Sequence, residues 1–163
     1  MSYWPILITL LAIAMAIGPI MLMQPSDHSR YLAKLRQEAA KLGLHVRADK
    51  YGRGSNQSSI MVYSLSSKHL SENTPDGSLI RQNYKHDLHF YNEWQWQSDK
   101  NYQIETLPDQ QVKKLQEFLA RLPDDIVGFD VNPQHVGLWW QETHQLSVSE
   151  IKALLVDAEK LFM

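Results

Sequence analysis

The first 26 residues of the chain contain no lysine, arginine, aspartate, glutamate or histidine, whereas such residues are frequent in the rest of it. Within them, the 21 residues from Tyr3 to Met23 include only three side chains with polar atoms. A helix of that length extends about 31 Å, which matches the roughly 30 Å hydrocarbon core of a bilayer. We therefore predict a transmembrane anchor over residues 1–25, in contact with lipid through residues 3–23, and one soluble domain over residues 26–163.

Two other interpretations of the apolar segment fit it less well. A cleaved signal peptide has a positively charged start and an apolar run of about 7–15 residues, whereas this segment has no early cation and a longer run. A helix buried in a soluble core is seldom apolar on every face over such a length. The segment is therefore typical of a helix that stays in a membrane.

The charges beside the apolar segment predict how the chain is oriented. No charged side chain precedes the segment, and the first cations after it are Arg30, Lys34, Arg36 and Lys41. Positively charged flanks are retained in the cytoplasm. We therefore expect a single-pass protein of the bacterial inner (plasma) membrane, with its N-terminus outside and its C-terminal domain in the cytoplasm.

Small residues inside the apolar segment recur four positions apart. Ala12 with Ala16, and Ala14 with Gly18, have the spacing that lets two membrane helices approach closely. The spacing predicts weak self-association through the anchor, although alanine-rich apolar helices also show it by chance.

Three amphipathic helices are predicted in the soluble domain. The first covers residues 27–42 and ends before Gly43, a residue that readily adopts the left-handed conformation of a helix stop. The second covers about residues 107–122. The third opens at Ser147, where the S-x-x-E pattern ending at Glu150 is a capping box.

Alternating and apolar runs predict the strands between these helices. They cover residues 44–48, residues 60–65, a strand or hairpin within 78–97, and a hairpin of 126–131 with 135–141. The resulting order is α-β-β-(β-β)-α-β-β-α. Short turns between consecutive strands favour an antiparallel sheet with helices on one face, which is the α+β class.

The composition excludes several kinds of chemistry. The chain has no cysteine, which rules out thiolate catalysis and cysteine-ligated zinc or iron–sulfur sites. Its net charge of −2 lacks the basic excess that is typical of nucleic-acid-binding proteins. We therefore expect no nucleic acid among its partners, and no motif indicates a metal or another cofactor.

Two polar clusters could still carry chemistry. His86, His89 and Glu93 could meet a zinc ion on a helix, but the flanking aromatic residues favour a strand, where positions i and i+3 face opposite ways. The segment Gly52-Arg53-Gly54-Ser55 could bind an anion through Arg53 and backbone N–H groups, although it lacks the lysine of a phosphate-binding loop. Solvated histidines and an ordinary loop are the favoured interpretations.

Tryptophan is the unusual component of the soluble domain. Trp94 and Trp96 share one face of a strand, whereas the neighbours Trp139 and Trp140 face opposite sides of the sheet. Because Trp140 lies on the more apolar side of its strand, we assign it to the core and Trp139 to the open face. Core packing is the favoured role for these rings. The alternative is partner contact, with Trp139, Trp94, Trp96 and Arg53 as the candidate residues.

The segment from Met21 to Leu44 resembles the translocase accessory subunit YajC. In that family an apolar span leads through a proline into a charged helix, as Met23-Gln24-Pro25-Ser26 does here. This chain departs from the family by lacking its Gly-Gly turns and by being longer. It also resembles uncharacterised single-pass proteobacterial membrane proteins that share the anchor, the stretch Ala39–Val46 and a late hairpin with two adjacent tryptophans. Neither resemblance implies catalytic residues.

An anchor joined to a domain without a polar catalytic cluster fits scaffolding better than chemistry. We therefore expect a membrane-tethered interaction or assembly module that contacts a protein at the cytoplasmic face. One alternative is a membrane-anchored enzyme whose site assembles from dispersed histidine, glutamate and arginine residues, and another is an accessory subunit of a membrane translocation complex. A pocket with convergent histidines and carboxylates would favour the enzyme, and an exposed tryptophan patch would favour the module.

Overall fold

Four helices and six strands occupy the part of the chain that the structure describes. The computed structural model describes residues 3–22, 26–51, 58–71, 74–82, 89–98, 104, 107–143 and 145–163, with residues 16–22 and 51 as backbone only. The helices are α1 (Trp4–Leu22), α2 (Asp27–Lys41), α3 (Asp109–Arg121) and α4 (Val148–Glu159). The strands are β1 (His45–Tyr51), β2 (Ser58–Ser66), β3 (Gly77–Arg81), β4 (Trp94–Gln97), β5 (Ile126–Asn132) and β6 (His135–Trp140). The predicted α+β class is confirmed.

The strands form one antiparallel sheet in the order β1-β2-β6-β5-β3-β4. The hairpin of β5 and β6 lies between β2 and β3, although it follows both in the chain. Met61 of β2 pairs with Trp140 of β6, and Leu79 of β3 pairs with Phe129 of β5. The centre of the sheet is therefore built from segments that are distant in sequence, and β1 and β4 form its edges.

One face of the sheet packs against helices. Tyr63, Phe129 and Trp140 share this face by strand alternation and are fully buried. Phe118 of α3 lies edge-on to Phe129, with ring centroids 5.7 Å apart. Phe162, just beyond α4, stacks on the same ring at 6.3 Å. Aromatic side chains from two helical segments therefore cover the centre of this face.

The opposite face of the sheet also carries a buried apolar cluster. Its members, each at most 9% exposed, are Ile60, Val62, Ile80, Val127 and Trp139. Gly128 lies beside the Trp139 ring, where a Cβ atom would approach the ring to 2.7 Å. The assignment of Trp139 to an open face was therefore wrong, since residues of β2, β3 and β5 assemble a second cluster around this ring.

Local signals set the helix ends as predicted. Gly43 follows α2 with φ +78°, a conformation that glycine adopts without the penalty of a Cβ atom. The Leu44 N–H then donates to the Ala39 carbonyl at 3.0 Å. Before α4, Ser147 and Glu150 form the capping box, in which each side chain accepts a hydrogen bond from the backbone N–H of the other. Both predicted signals are confirmed.

Contacts divide the chain into two units, Met1–Lys34 and Leu35–Met163. The first unit contains α1 and exposes large apolar side chains from Tyr3, just before this helix, to Met15, with exposed fractions of 49–77%. Counting only the described residues, whose side chains within α1 end at Met15, no helix is long and apolar enough to cross a membrane.

We expect Trp139→Ala and Trp140→Ala to destabilise the protein by similar amounts, about 3–5 kcal/mol each, because both substitutions empty a buried site. Urea denaturation of the two variants measures the loss in free energy of unfolding. Met163→Ala serves as the control, since Met163 is 68% exposed and its truncation is expected to cost within about 0.5 kcal/mol. A loss for Trp139→Ala as small as the control would restore the open-face assignment.

Candidate functional site

A partly buried ion pair joins Arg36 of α2 to Glu142, which follows β6. Arg36 donates from Nε to Glu142 Oε1 at 2.8 Å and from Nη2 to Oε2 at 2.6 Å. This bidentate geometry matches the planar guanidinium to the carboxylate. The Glu142 side chain is only 7% exposed, against 36% for Arg36. The carboxylate is therefore the desolvated member and depends on its donors to replace lost hydration.

Tyr63 of β2 supplies a third donor to this carboxylate. Its hydroxyl donates to Glu142 Oε1 at 2.6 Å from within the core. Burial raises the pKa of Tyr63 far above its ordinary value, and the hydrogen bond to Glu142 and the negative charge of that residue raise it further. The side-chain hydrogen bond to Glu142 likewise raises the pKa of Arg36. The phenol therefore keeps its proton and remains a donor.

The backbone of Glu142 is strained. Its φ of +53° lies in the left-handed region, which costs a residue with a Cβ atom about 1–2 kcal/mol. Two hydrogen bonds to Asp125 hold the flanking residues: the Gln141 N–H donates to the Asp125 carbonyl at 3.1 Å, and the Thr143 hydroxyl donates to Asp125 Oδ2 at 2.6 Å. Strain that the surroundings hold in place concentrates at functional sites, so Glu142 marks the candidate site.

A pocket of about 400 Å³ opens beside the ion pair. Met61 is the first residue of β2 that pairs with β6, and the pocket lies beside residues 58–60, which precede this pairing. Its walls are residues 58–61 of β2, residues 140–142 of the segment that leaves the sheet, and Arg36. Ligand pockets usually have roughly 300–1,000 Å³. Walls that mix apolar and polar side chains beside a charged pair make this pocket the candidate binding site in the described part of the chain.

A second polar cluster surrounds Asp130 on the other face of the sheet. Asp130 Oδ2 accepts a hydrogen bond from Arg47 Nη2 at 2.9 Å and lies 3.1 Å from His135 Nε2. Gly137, opposite Asp130, leaves space for this carboxylate, because a Cβ atom there would overlap Asp130 Oδ1. Among the described residues, no hydroxyl of a serine or threonine is bonded to His135. The cluster therefore neutralises a buried carboxylate without forming a catalytic triad.

The structure places the predicted contact residues mostly inside the domain. Trp94 is 1% exposed and Trp139 is 7% exposed, whereas Trp96 is partly exposed. The Trp94 ring lies beneath the Arg81 guanidinium, 4.9 Å from its central carbon. Arg53 and its glycine-rich segment lie outside the described residues. Partner contact through these residues stays a prediction, and of the described tryptophans named for it Trp96 is the most exposed.

The predicted cluster of metal ligands is only partly described. His86 lies outside the described residues, whereas His89 and Glu93 have separate partners. His89 Nδ1 is 3.0 Å from the Asn92 carbonyl, and the Glu93 carboxylate pairs with Arg81 Nε at 2.9 Å. In the part of the chain that can be described, no group of three histidine, cysteine, aspartate or glutamate residues is arranged to hold a metal ion.

No protein-family model, curated protein or solved structure matches this chain. What the pocket beside Arg36 and Glu142 can do must therefore follow from its own geometry. It combines a bidentate charge pair, walls of mixed polarity and a strained backbone.

Sequence patterns did not indicate the cluster of Arg36, Tyr63 and Glu142. Glu142 lies 106 positions from Arg36 and 79 positions from Tyr63, so no local spacing connects them. In the sequence, Arg36 stands out only as one of the cations that follow the apolar segment. The usable signal was Glu142 itself, since a carboxylate two residues beyond an apolar strand needs donors once the strand is buried.

We expect Tyr63→Phe to reduce the free energy of unfolding at pH 7 by roughly 1.5–3 kcal/mol, because Glu142 loses one donor. The raised pKa of Tyr63 means that the folded state holds the phenol proton more tightly than the unfolded state does. This contribution to stability is fully present below about pH 10 and is lost as the pH rises further. Above about pH 10 the free energy of unfolding of the wild-type protein therefore falls more steeply with pH than that of the variant. Urea denaturation between pH 7 and 11 measures both effects, and parallel alkaline profiles would contradict the assignment.

Proposed function

We propose that the protein is a membrane-tethered binding module, with α1 in the bilayer and the α+β unit in the cytoplasm, where it contacts a partner protein. The observation that carries this proposal is the exposed apolar surface of α1. The large exposed side chains are Tyr3, Trp4, Ile6, Leu7, Ile8, Leu10, Leu11, Ile13 and Met15. No charged residue interrupts them.

The exposed side chains surround α1 and do not form a stripe. Successive positions rotate by about 100° around a helix, so Ile6, Leu7 and Ile8 already span more than half of its circumference. A groove on a partner protein needs one apolar stripe, whereas lipid contacts a helix on every side. Thr9 lies among these residues and donates its hydroxyl to the Pro5 carbonyl at 2.7 Å, so its polar group is satisfied within the helix. The pattern supports lipid as the surroundings of α1.

The energetic consequence of this exposure is large. Full burial of one leucine or isoleucine contributes about 1.5–3 kcal/mol. The six such residues between Ile6 and Ile13 are 49–62% exposed. Moving them from water to hydrocarbon therefore gains on the order of 10 kcal/mol, which is comparable to the whole stability of a small domain.

In the α+β unit, a binding role is supported by the hydrogen bonds of its buried carboxylates, which donors of the protein itself already occupy. Glu142 is held by Arg36 and Tyr63, and Asp130 is held by Arg47, so donors already occupy these groups. The pocket beside Arg36 has walls that mix apolar and polar side chains next to a charged pair, a combination that suits an inserted side chain of a partner. We therefore propose this pocket as the site of partner contact.

The alternative roles differ in what they require. An enzyme needs a nucleophile or base that faces a substrate site, and neither cluster described above supplies one from the described residues. An accessory role in a membrane translocation complex, which the resemblance to YajC suggests, is a special case of the tethered module, in which the partner is itself embedded in the membrane.

We expect a fluorescent protein fused after Met163 to fluoresce and to stay with membranes after carbonate extraction, whereas alkaline phosphatase fused there is inactive. In the double variant Leu10→Glu/Leu11→Glu, carbonate is expected to extract most of the fluorescent fusion protein from the membranes. Each charge in the hydrocarbon costs about 2.5–3.5 kcal/mol. Ala40→Glu/Ala120→Glu adds the same charge at exposed positions outside α1 and is expected to release none. Extraction of the wild-type fusion would refute the tether, and active phosphatase without fluorescence would refute the orientation.

A photo-crosslinking residue at Ser59, an exposed position on the pocket wall, is expected to capture a discrete partner in cells that naturally make the protein. The same residue at Ala120, which is exposed on α3 away from the pocket, is the control and is expected to capture none. Ser59→Trp is expected to fill the pocket and to abolish copurification of the captured protein. Identical crosslinking patterns at the two positions would refute the pocket as the contact site.

A further inference from the structure

The edge strand β1 has a described strand on one side only, although its Lys50 N–H already donates to Asp49 Oδ1 at 2.8 Å. It is 7 residues long, and on that side it pairs with β2 over its whole length, from His45 to Tyr51. In the sheet order it has no second neighbour among the described strands. Ala48, in the middle of the strand, is exposed, as is Lys50. An open edge of this length is a template for another strand.

The order of charges on β1 is complementary to itself. Arg47 and Asp49 flank Ala48 and lie on the same face of the sheet, since they are two positions apart. When two copies of β1 run antiparallel with Ala48 opposite Ala48, each Arg47 lies opposite an Asp49. Centring the pair on Arg47 or on Asp49 would instead place like charges together, which is unfavourable.

We propose that β1 pairs antiparallel with β1 of a second copy of this chain, with the two-fold axis at Ala48, so that the two sheets become one continuous sheet. This inference goes beyond the tethered module and does not depend on it, because β1 belongs to the unit Leu35–Met163.

Contacts within one copy hold the charged side chains of β1 next to each other on one face of the sheet. Arg47 is held by Asp130 at 2.9 Å, and its Nε lies 3.8 Å from Asp49 Oδ2 of the same strand. The guanidinium and the carboxylate are therefore already adjacent on one face before a second copy arrives. Charges on an edge strand commonly prevent pairing, because most alignments bring like charges together. On β1 the same charges select one alignment.

The size of the central residue suits the proposed axis. Residues directly opposite each other in an antiparallel pair have Cα atoms about 4.5–5.5 Å apart. Ala48 presents only a methyl group at this position, so the two copies approach without a clash of side chains. Ala48 and Lys50 point to the same face, but the two copies of Lys50 would lie about 14 Å apart along the strands, because each is displaced by two residues from the axis.

Cysteine crosslinking tests the proposed alignment on the full-length chain in detergent. The chain has no cysteine of its own, so a single introduced cysteine can form a disulfide only between copies. Opposite Cα atoms at the proposed axis fall within the 4.4–6.8 Å that a disulfide bridges. Ala48→Cys is therefore expected to form a disulfide dimer at least tenfold faster than Lys50→Cys. Lys50 is the matched control because it lies on the same face of the same strand and is also exposed.

Unfolding midpoints of both variants under reducing conditions establish that each is folded as the wild type is. Equal crosslinking rates at the two positions, or no crosslinking of folded Ala48→Cys, would overturn the proposal. The sedimentation of the wild-type chain gives a second readout, and a monomer throughout the micromolar range would overturn it as well.

A charge variant tests the alignment independently. Asp49→Lys, added to Ala48→Cys, places a cation opposite Arg47 and is expected to slow disulfide formation at least threefold. Asp157→Lys, added to Ala48→Cys, makes the same charge change at an exposed position on α4 and is expected to leave the rate unchanged. An equal rate in both double variants would mean that the charges do not set the pairing, which would also overturn the proposal.

Discussion

The buried carboxylate of Glu142 needs hydrogen-bond donors in place of water, and several parts of the domain supply them. A buried carboxylate that loses a partner destabilises a protein by about 3–5 kcal/mol, because water no longer solvates it. Its donors are Arg36 on α2 and Tyr63 in the centre of β2, and the carboxylate itself follows β6. The hydrogen bonds of this carboxylate therefore couple the stability of a helix, a central strand and the segment beyond another strand.

The same region combines strain and open space for one structural reason. β2 begins three residues before Met61, whereas β6 ends at Trp140, opposite Met61, and the chain then turns away toward Glu142. The Trp140 indole donates to Asp125 at 2.9 Å, which holds the end of β6 where the turn begins. The pocket occupies the gap between the start of β2 and the chain that leaves β6. Buried hydrogen bonds therefore fix the wall of the pocket that follows β6.

The features that could be predicted from the sequence were those that neighbouring residues decide. The helix stop at Gly43, the capping box at Ser147 and the β5–β6 hairpin depend on spacings of a few residues, and the structure shows all three. The strand order and the ion pair of Glu142 depend on residues that are distant in sequence, and no periodicity encodes such partners. Trp139 was assigned to the wrong environment for the same reason, since the cluster around it comes from three other strands.

The place of the β5–β6 hairpin determines when the domain can assemble during synthesis. This hairpin leaves the ribosome after β2 and β3, yet it supplies the only link between them in the described sheet. A nascent chain that has reached β4 therefore holds β2 and β3 as separate open edges with apolar faces, a state that is prone to aggregate. Because the central pairings close long stretches of chain, we expect the sheet to form late and slowly, after residue 140 has emerged.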